Sequence, residues 1–308
     1  MKRKVLSIAI MVFASVVAWS QPAVVSSPLR VMESESGLLS PQWSPDGRYI
    51  AAAGDGYHGI YVYNLTDKSI RQISSDAGAG YRMQWTDDAA RIVGRTSVIA
   101  DGKLMHEVKV WNVADGVATT LLAPTRGLKG FPMWNGNDEL SVRIADERRA
   151  LGIKSTPEAI PAETAYSILV EDPAGAASRI ESLKEYAGTV IINPSLSPDG
   201  TKVAFQVPGR GMMVMNAADG SDLVGLGKGL NPTWTPDGKW VVYTITADDG
   251  MRITSSKVCA VNVTTRVICV LLNNALFIPM TPSVNRQGTS MVFENEADRS
   301  IYTVDIKL

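Results

Sequence analysis

Side chains able to do chemistry are few and scattered in this 308-residue chain. His58 sits in the polar segment Asp55-Gly56-Tyr57-His58-Gly59, and His106 enters an alternating apolar stretch; these are its two histidines. An imidazole with no carboxylate or serine at catalytic spacing is more readily a hydrogen-bonding group than a general base. Asp248-Asp249-Gly250 offers carboxylates to a hard cation, but calcium takes six or more oxygen ligands and no spacing here gathers them. The chain has no Gly-x-Ser-x-Gly elbow, glycine-rich phosphate loop, His-Glu-x-x-His or Cys-x-x-Cys. It therefore reads as a non-enzyme, with no catalytic residue, metal ligand or cofactor expected.

Cys259 and Cys269 are the two cysteines, placed at equal distances on either side of Thr264. A three-residue turn centred on Thr264 would set them opposite each other on adjacent strands, where a disulfide can form in an oxidising compartment. A two-residue turn would shift the register by one and leave two buried thiols. The residues leave both arrangements open.

What positions any site is a repeat. Gln42-Trp43-Ser44-Pro45-Asp46-Gly47, Ser195-Leu196-Ser197-Pro198-Asp199-Gly200 and Thr233-Trp234-Thr235-Pro236-Asp237-Gly238 each join two apolar runs. Proline presets φ near −65°, aspartate bonds neighbouring N–H groups, and glycine takes the left-handed conformation, so each copy is a hairpin turn. Weaker copies follow Trp85, Trp134 and Val284. The large residue before each turn is a core position. Downstream, Tyr63-Asn64, Trp111-Asn112, Met215-Asn216 and Val261-Asn262 close a third strand, with Glu171-Asp172 and Val304-Asp305 expected in that place in the third and sixth repeats. Each repeat thus supplies four short strands, a to d.

The fold expected is all-β, a six-bladed β-propeller of four-stranded antiparallel blades. The sixth repeat ends after strand c, and Leu29-Arg30-Val31-Met32-Glu33 precedes the first turn as a d strand would, so an N-terminal strand should close the ring. Length alone suggests roughly two domains, but one ring accounts for residues 21–308. Met1 to Ser20 read as a signal peptide: Lys2, Arg3 and Lys4, an apolar run from Val5 to Val17, then Ala18-Trp19-Ser20. That run is short for a spanning helix, so no stable membrane insertion is expected after cleavage. The formal charge is −1 and becomes more negative without the leader, which leaves no basic stripe for nucleic acid.

The Trp-Ser-Pro-Asp-Gly turn, the apolar strand after it and the later Tyr-x-Asn strand resemble the PD40 (WD40-like) repeats of TolB-type periplasmic β-propellers. The resemblance covers Ser27 to Leu308. It implies a periplasmic or secreted module that acts by interaction, with a protein or peptide segment of the cell envelope as partner and a monomeric state. A glycan or peptidoglycan binder is the alternative, and a propeller lyase or hydrolase stands behind both, since similar repeats occur in such proteins.

The interval from turn to end of strand c varies, and its excess is placed between strands b and c; insertions on one face mark the binding face. The longest, Ala145 to Ala165, carries Glu147-Arg148-Arg149, Lys154, Pro157 and Pro161. On the same face, one residue per repeat enters strand a: Ser40, Arg82, Phe131, Asn193, Asn231 and Thr281. With Tyr57, His58 and Arg149 these form the expected recognition ring at a channel mouth.

Overall fold

The computed structural model describes residues 21–134, 139–154 and 164–308. The leader reading, the turn after Trp134, Pro157 and Pro161 lie outside the described residues. Six antiparallel sheets stand around a central channel, and the fold is a six-bladed propeller. Blade one is built from Leu38–Trp43, Tyr49–Gly54, Ile60–Asn64 and Ile70–Ser74. Blade two holds Gln84–Trp85, Arg91–Ala100, Lys103–Asn112 and Ala118–Thr125. Blades four and five begin with Ile192–Leu196 and Leu230–Trp234, and blade six with Pro279–Val284. These first strands line the axis, and that of blade six packs on that of blade one.

The turns form as their chemistry dictates. Ser44 Oγ donates to Asp46 Oδ1 at 2.7 Å, and accepts from Tyr49 N at 2.9 Å. Ser197 with Asp199 and Thr235 with Asp237 repeat the device at 2.6 Å each. Thr86 with Asp88 does so in blade two, where Ala89 takes the left-handed place of the glycine at φ 54°. The recurrent asparagine after strand c is a local cap: the side-chain oxygens of Asn64, Asn112 and Asn262 accept from backbone N–H groups two residues on.

Strand b of blades one, four, five and six is buried over most of its length on both faces because each of these blades is sandwiched between two others. In blade five, Val241 packs toward blade four and Val242 toward blade six, both fully buried. At about 25 cal/mol per Å² of apolar surface, each such side chain contributes roughly 1.5–3 kcal/mol. The same alternation decides the cysteines. Cys259 pairs with Val270 and Cys269 with Ala260, a register one residue away from opposition. The two thiols therefore face different blade interfaces and are free, so of the two open arrangements the unpaired one holds, across a turn of residues 263–266. Burial pushes both thiols up from their ordinary pKa.

Closure occurs where expected. Leu29–Met32 pairs antiparallel with Ser300–Lys307, the third strand of blade six, and Ala23–Val24 extends the same edge beside Ile306 and Lys307.

Blade three departs from the expected plan. Its described strands are three, Leu128–Trp134, Glu139–Ile144 and Glu147–Lys154, and strand c ends well before Glu171. Glu171 instead closes α1 (Ala165–Glu171), which is capped by Thr164 and followed by α2 (Ala176–Arg179). Ile168-Leu169-Val170 is a short apolar run, and such a run fits a buried strand or a buried helix equally. A buried fork decides it here: Arg148 donates to both oxygens of Glu171, at 2.9 and 2.8 Å. The excess length also falls elsewhere than expected. In blades two and five it lengthens strands b and c themselves, and in blade three it follows strand c.

Candidate functional site

The channel widens into a cavity of about 700 Å³ at one end and one of about 640 Å³ at the other. Gln84, Met133, Tyr166, Ser195 and Thr233 line both, so the two are chambers of one channel. The second chamber opens among the tight turns, where Arg286 of blade six reaches Asp87 of blade two at 3.4 Å.

The first chamber holds the ring. Ser40, Arg82, Phe131, Asn193, Asn231 and Thr281 all line it, with Tyr57 beside them. Ser40, Arg82, Asn193, Asn231 and Thr281 share a left-handed backbone, with φ between 42° and 56°. This conformation is costly for L residues other than glycine and concentrates where structure over-determines it. At Ser40, Asn193, Asn231 and Thr281 it is part of a bulge: ladder register breaks between Leu39 and Gln42, Ile192 and Ser195, Leu230 and Thr233, and Met280 and Ser283. Proline follows Ser40, Asn193, Asn231 and Thr281, and a proline inside a strand is confined to an edge or bulge. The bulge brings the side chain before the proline to the mouth. In blade three the left-handed residue is Gly130, one position earlier. A Cβ there would lie 2.3 Å from the carbonyl oxygen of Val170 at the end of α1.

The wall made by blades two and three is cationic and aromatic. The Arg82 and Arg95 guanidinium carbons stand 4.9 and 4.2 Å from the Phe131 ring centre. Phe131 meets Tyr81 edge to face at 5.2 Å, and Tyr81 meets Tyr57 at 4.7 Å. Tyr166 of α1 packs on the same cluster, and burial raises its hydroxyl pKa. Opposite stands a polar wall. Asn193 Nδ2 donates to Asn231 Oδ1 at 2.7 Å, and the Ser40 N–H donates to Glu294 Oε2. Burial pushes the Glu294 carboxyl above its ordinary value.

Two expected members are elsewhere. His58 is exposed at the end of the turn Asp55–Tyr57, and Arg149 is exposed on strand c of blade three; neither lines a chamber, because Tyr57 takes the chamber position beside His58, and beside Arg149 it is Arg148 that turns in, onto Glu171. Tyr81, Tyr166 and Glu294 line the chamber without having been singled out, and Arg95 reaches Phe131 from outside the lining. They come from strand interiors, the inserted helix or, for Tyr81, the turn before strand a of blade two, and the spacing around them carries no mark of the axis. His106 lies on strand c of blade two against Ser97, with its pKa lowered by burial. Among the described residues no three His, Cys, Asp or Glu side chains converge as metal ligands. The Asp248 and Asp249 carboxylates accept backbone N–H groups of their own turn. Among the described residues no helix is long and apolar enough to cross a membrane.

No family model matches this chain. Over 65 residues it is 32% identical to the Tol-Pal system protein TolB of Alcanivorax borkumensis, a match covering 20% of this chain and 15% of that protein. Among solved structures it resembles TolB from Acinetobacter baumannii, at 14% identity and a TM-score of 0.38, over 89% of this chain and 56% of that one. It also resembles an oligogalacturonate lyase from Vibrio parahaemolyticus, at 11% identity and a TM-score of 0.48, over 89% of this chain and 79% of that one. The chain thus spans little more than half of the Acinetobacter protein. The sequence similarity is to a TolB propeller, as the repeat motif implied.

Proposed function

We propose that this protein is a non-enzymatic propeller of the periplasm or a secreted fraction, which as a monomer docks a segment of another envelope protein in the first chamber. The observation that carries this reading is the bulged ring: five left-handed residues turn hydroxyl, amide and guanidinium groups into one cavity beside Tyr57 and Phe131. A volume of about 700 Å³ lies within the usual range for ligand pockets and admits a few side chains of a chain segment. The asparagine, serine and threonine groups suit backbone N–H and C=O partners, and the aromatic wall suits an apolar anchor.

The alternative, a glycan or peptidoglycan binder, calls for an open stacking platform. Phe131 is buried, and Tyr57 and Tyr81 meet edge to face, which favours an inserted side chain over a stacked sugar ring.

In-cell crosslinking followed by purification tests the proposal. A specific envelope protein should be recovered with the intact chain and with Asp199→Ala, whose turn lies on the opposite face. Tyr57→Ala and Asn231→Ala should reduce recovery at least about tenfold, as loss of anchor contacts does. Recovery that ignores the mouth variants, or retention on peptidoglycan with no protein partner, would overturn it.

A further inference from the structure

Arg82 lines the first chamber and Arg95 stands against the same Phe131 ring, and among the described residues neither has a carboxylate partner. Arg82 makes its cation–π contact with Phe131, and Arg95 adds a 2.5 Å hydrogen bond from its guanidinium to the Gly130 carbonyl. Burial lowers both guanidinium pKa values, and in Arg95 the charge of Arg82 acts the same way. Two like charges, partly desolvated and held against one ring, are an arrangement that natural proteins keep where something anionic answers it. Other partly buried charges are answered within the fold: Arg148 by Glu171, and Lys109 by Glu107 and Asp76. The chamber's own carboxylate, Glu294, is occupied across the ring with the Ser40 N–H.

Resting on the docking reading above, we infer that the Arg82–Arg95–Phe131 wall is a carboxylate-binding subsite, which receives the C-terminal or side-chain carboxylate of the docked segment. The Arg82 guanidinium fork matches a planar carboxylate in two parallel N–H···O bonds, and the charge of Arg95, anchored to the Gly130 carbonyl against the same ring, adds to the attraction. Tyr57, Tyr81 and Tyr166 line the chamber beside Arg82, and the burial of Arg82 there strengthens a charge-assisted bond formed at it. Backbone groups of the same segment would then reach Asn193 and Asn231 on the facing wall. An acidic segment is drawn to this chamber by charge and held by its fork.

The test is a titration of the full chain, labelled with ¹⁵N at arginine, followed through the Nε–H signals of Arg82 and Arg95. Arg82→Gln and Arg95→Gln assign the two signals by their loss. N-acetyl-trialanine with a free carboxylate should shift both signals saturably, and its C-terminal amide should leave them still. Arg82→Gln should weaken the free-acid titration at least about tenfold, the loss of one charge-assisted pair, about 1.4 kcal/mol. Arg82→Lys, which keeps the charge and loses the fork, should fall between. An equal response to the amide, or a response in Arg82→Gln equal to that of the parent, would overturn the inference. So would tighter saturation by inorganic phosphate or by glucuronate, which would assign the subsite to a phosphoryl group or a sugar acid. The docking reading is judged apart: an envelope partner that Arg82→Gln still captures refutes the subsite and spares docking. Carboxylate binding without any captured partner refutes docking and spares the subsite.

Discussion

At Asn231 the left-handed ring makes a prediction opposite in sign to that for an ordinary strand. Its φ is 54°, and its side-chain oxygen accepts from Asn193 at 2.7 Å. Alanine and glycine at 231 both remove that bond, at a shared cost of about 0.5–1.5 kcal/mol, so their difference isolates the backbone. Alanine keeps the left-handed strain, about 1–2 kcal/mol, whereas glycine does not. Glycine returns about 0.4–1 kcal/mol through the greater freedom of its unfolded chain. Asn231→Gly should therefore be more stable than Asn231→Ala by roughly 0.5–1 kcal/mol. At Val224, an exposed residue on the outer strand of blade four with no left-handed backbone, the order should reverse by a similar amount. Urea denaturation reads both pairs as midpoint differences of about 0.2–0.3 M, taking a slope near 3 kcal/mol per molar. Glycine less stable than alanine at 231 as well as at 224 would refute the claim that the ring is held in a strained conformation.

Deleting residues 27–35 removes Leu29–Met32 from the edge of Ser300–Lys307 and should lower the melting temperature sharply; an unchanged melt would mean that the ring closes without that strand. The Asp88 and Asp199 carboxyls are held below the ordinary aspartate value of 3.8, foremost by hydrogen bonds from Thr86 and Ser197. A depressed folded pKa gives stability that is present above the unfolded value and lost as pH falls through the folded one. Asp199→Asn should therefore be less stable than the parent at neutral pH and approach it below the ordinary aspartate range; a constant gap at all pH values would count against this. Mass spectrometry without reductant should find both Cys259 and Cys269 alkylated after unfolding and slow to react before it; a pair two hydrogens lighter would show a disulfide that the register forbids. Glu171→Ala removes the buried carboxylate that Arg148 forks onto and should cost about 3–5 kcal/mol in denaturation; a loss below about 1 kcal/mol would show that the fork does not hold α1.

The repeat was legible because its chemistry is local. Ser44-Pro45-Asp46-Gly47 and its copies need only their own backbone to form a turn, and the asparagines after strand c cap the chain two residues on. A fixed interval between such turns, with apolar strands between them, leaves few folds other than a ring of blades. The ring positions Ser40, Arg82, Phe131, Asn193, Asn231 and Thr281 could be counted from the turns for the same reason. Tertiary structure decided what depends on neighbours far along the chain. The apolar run of α1 became helical in the setting of a Glu171 anchored by Arg148, on a strand more than one helix length earlier in sequence. A register difference of one residue sent Cys259 and Cys269 to different interfaces, a choice that periodicity of two cannot make. Arg95 entered the site through Phe131, and Glu294 through the Ser40 N–H across the last blade junction. Charge, size and pattern describe each of these side chains; only the closed ring sets which of them meet at the axis.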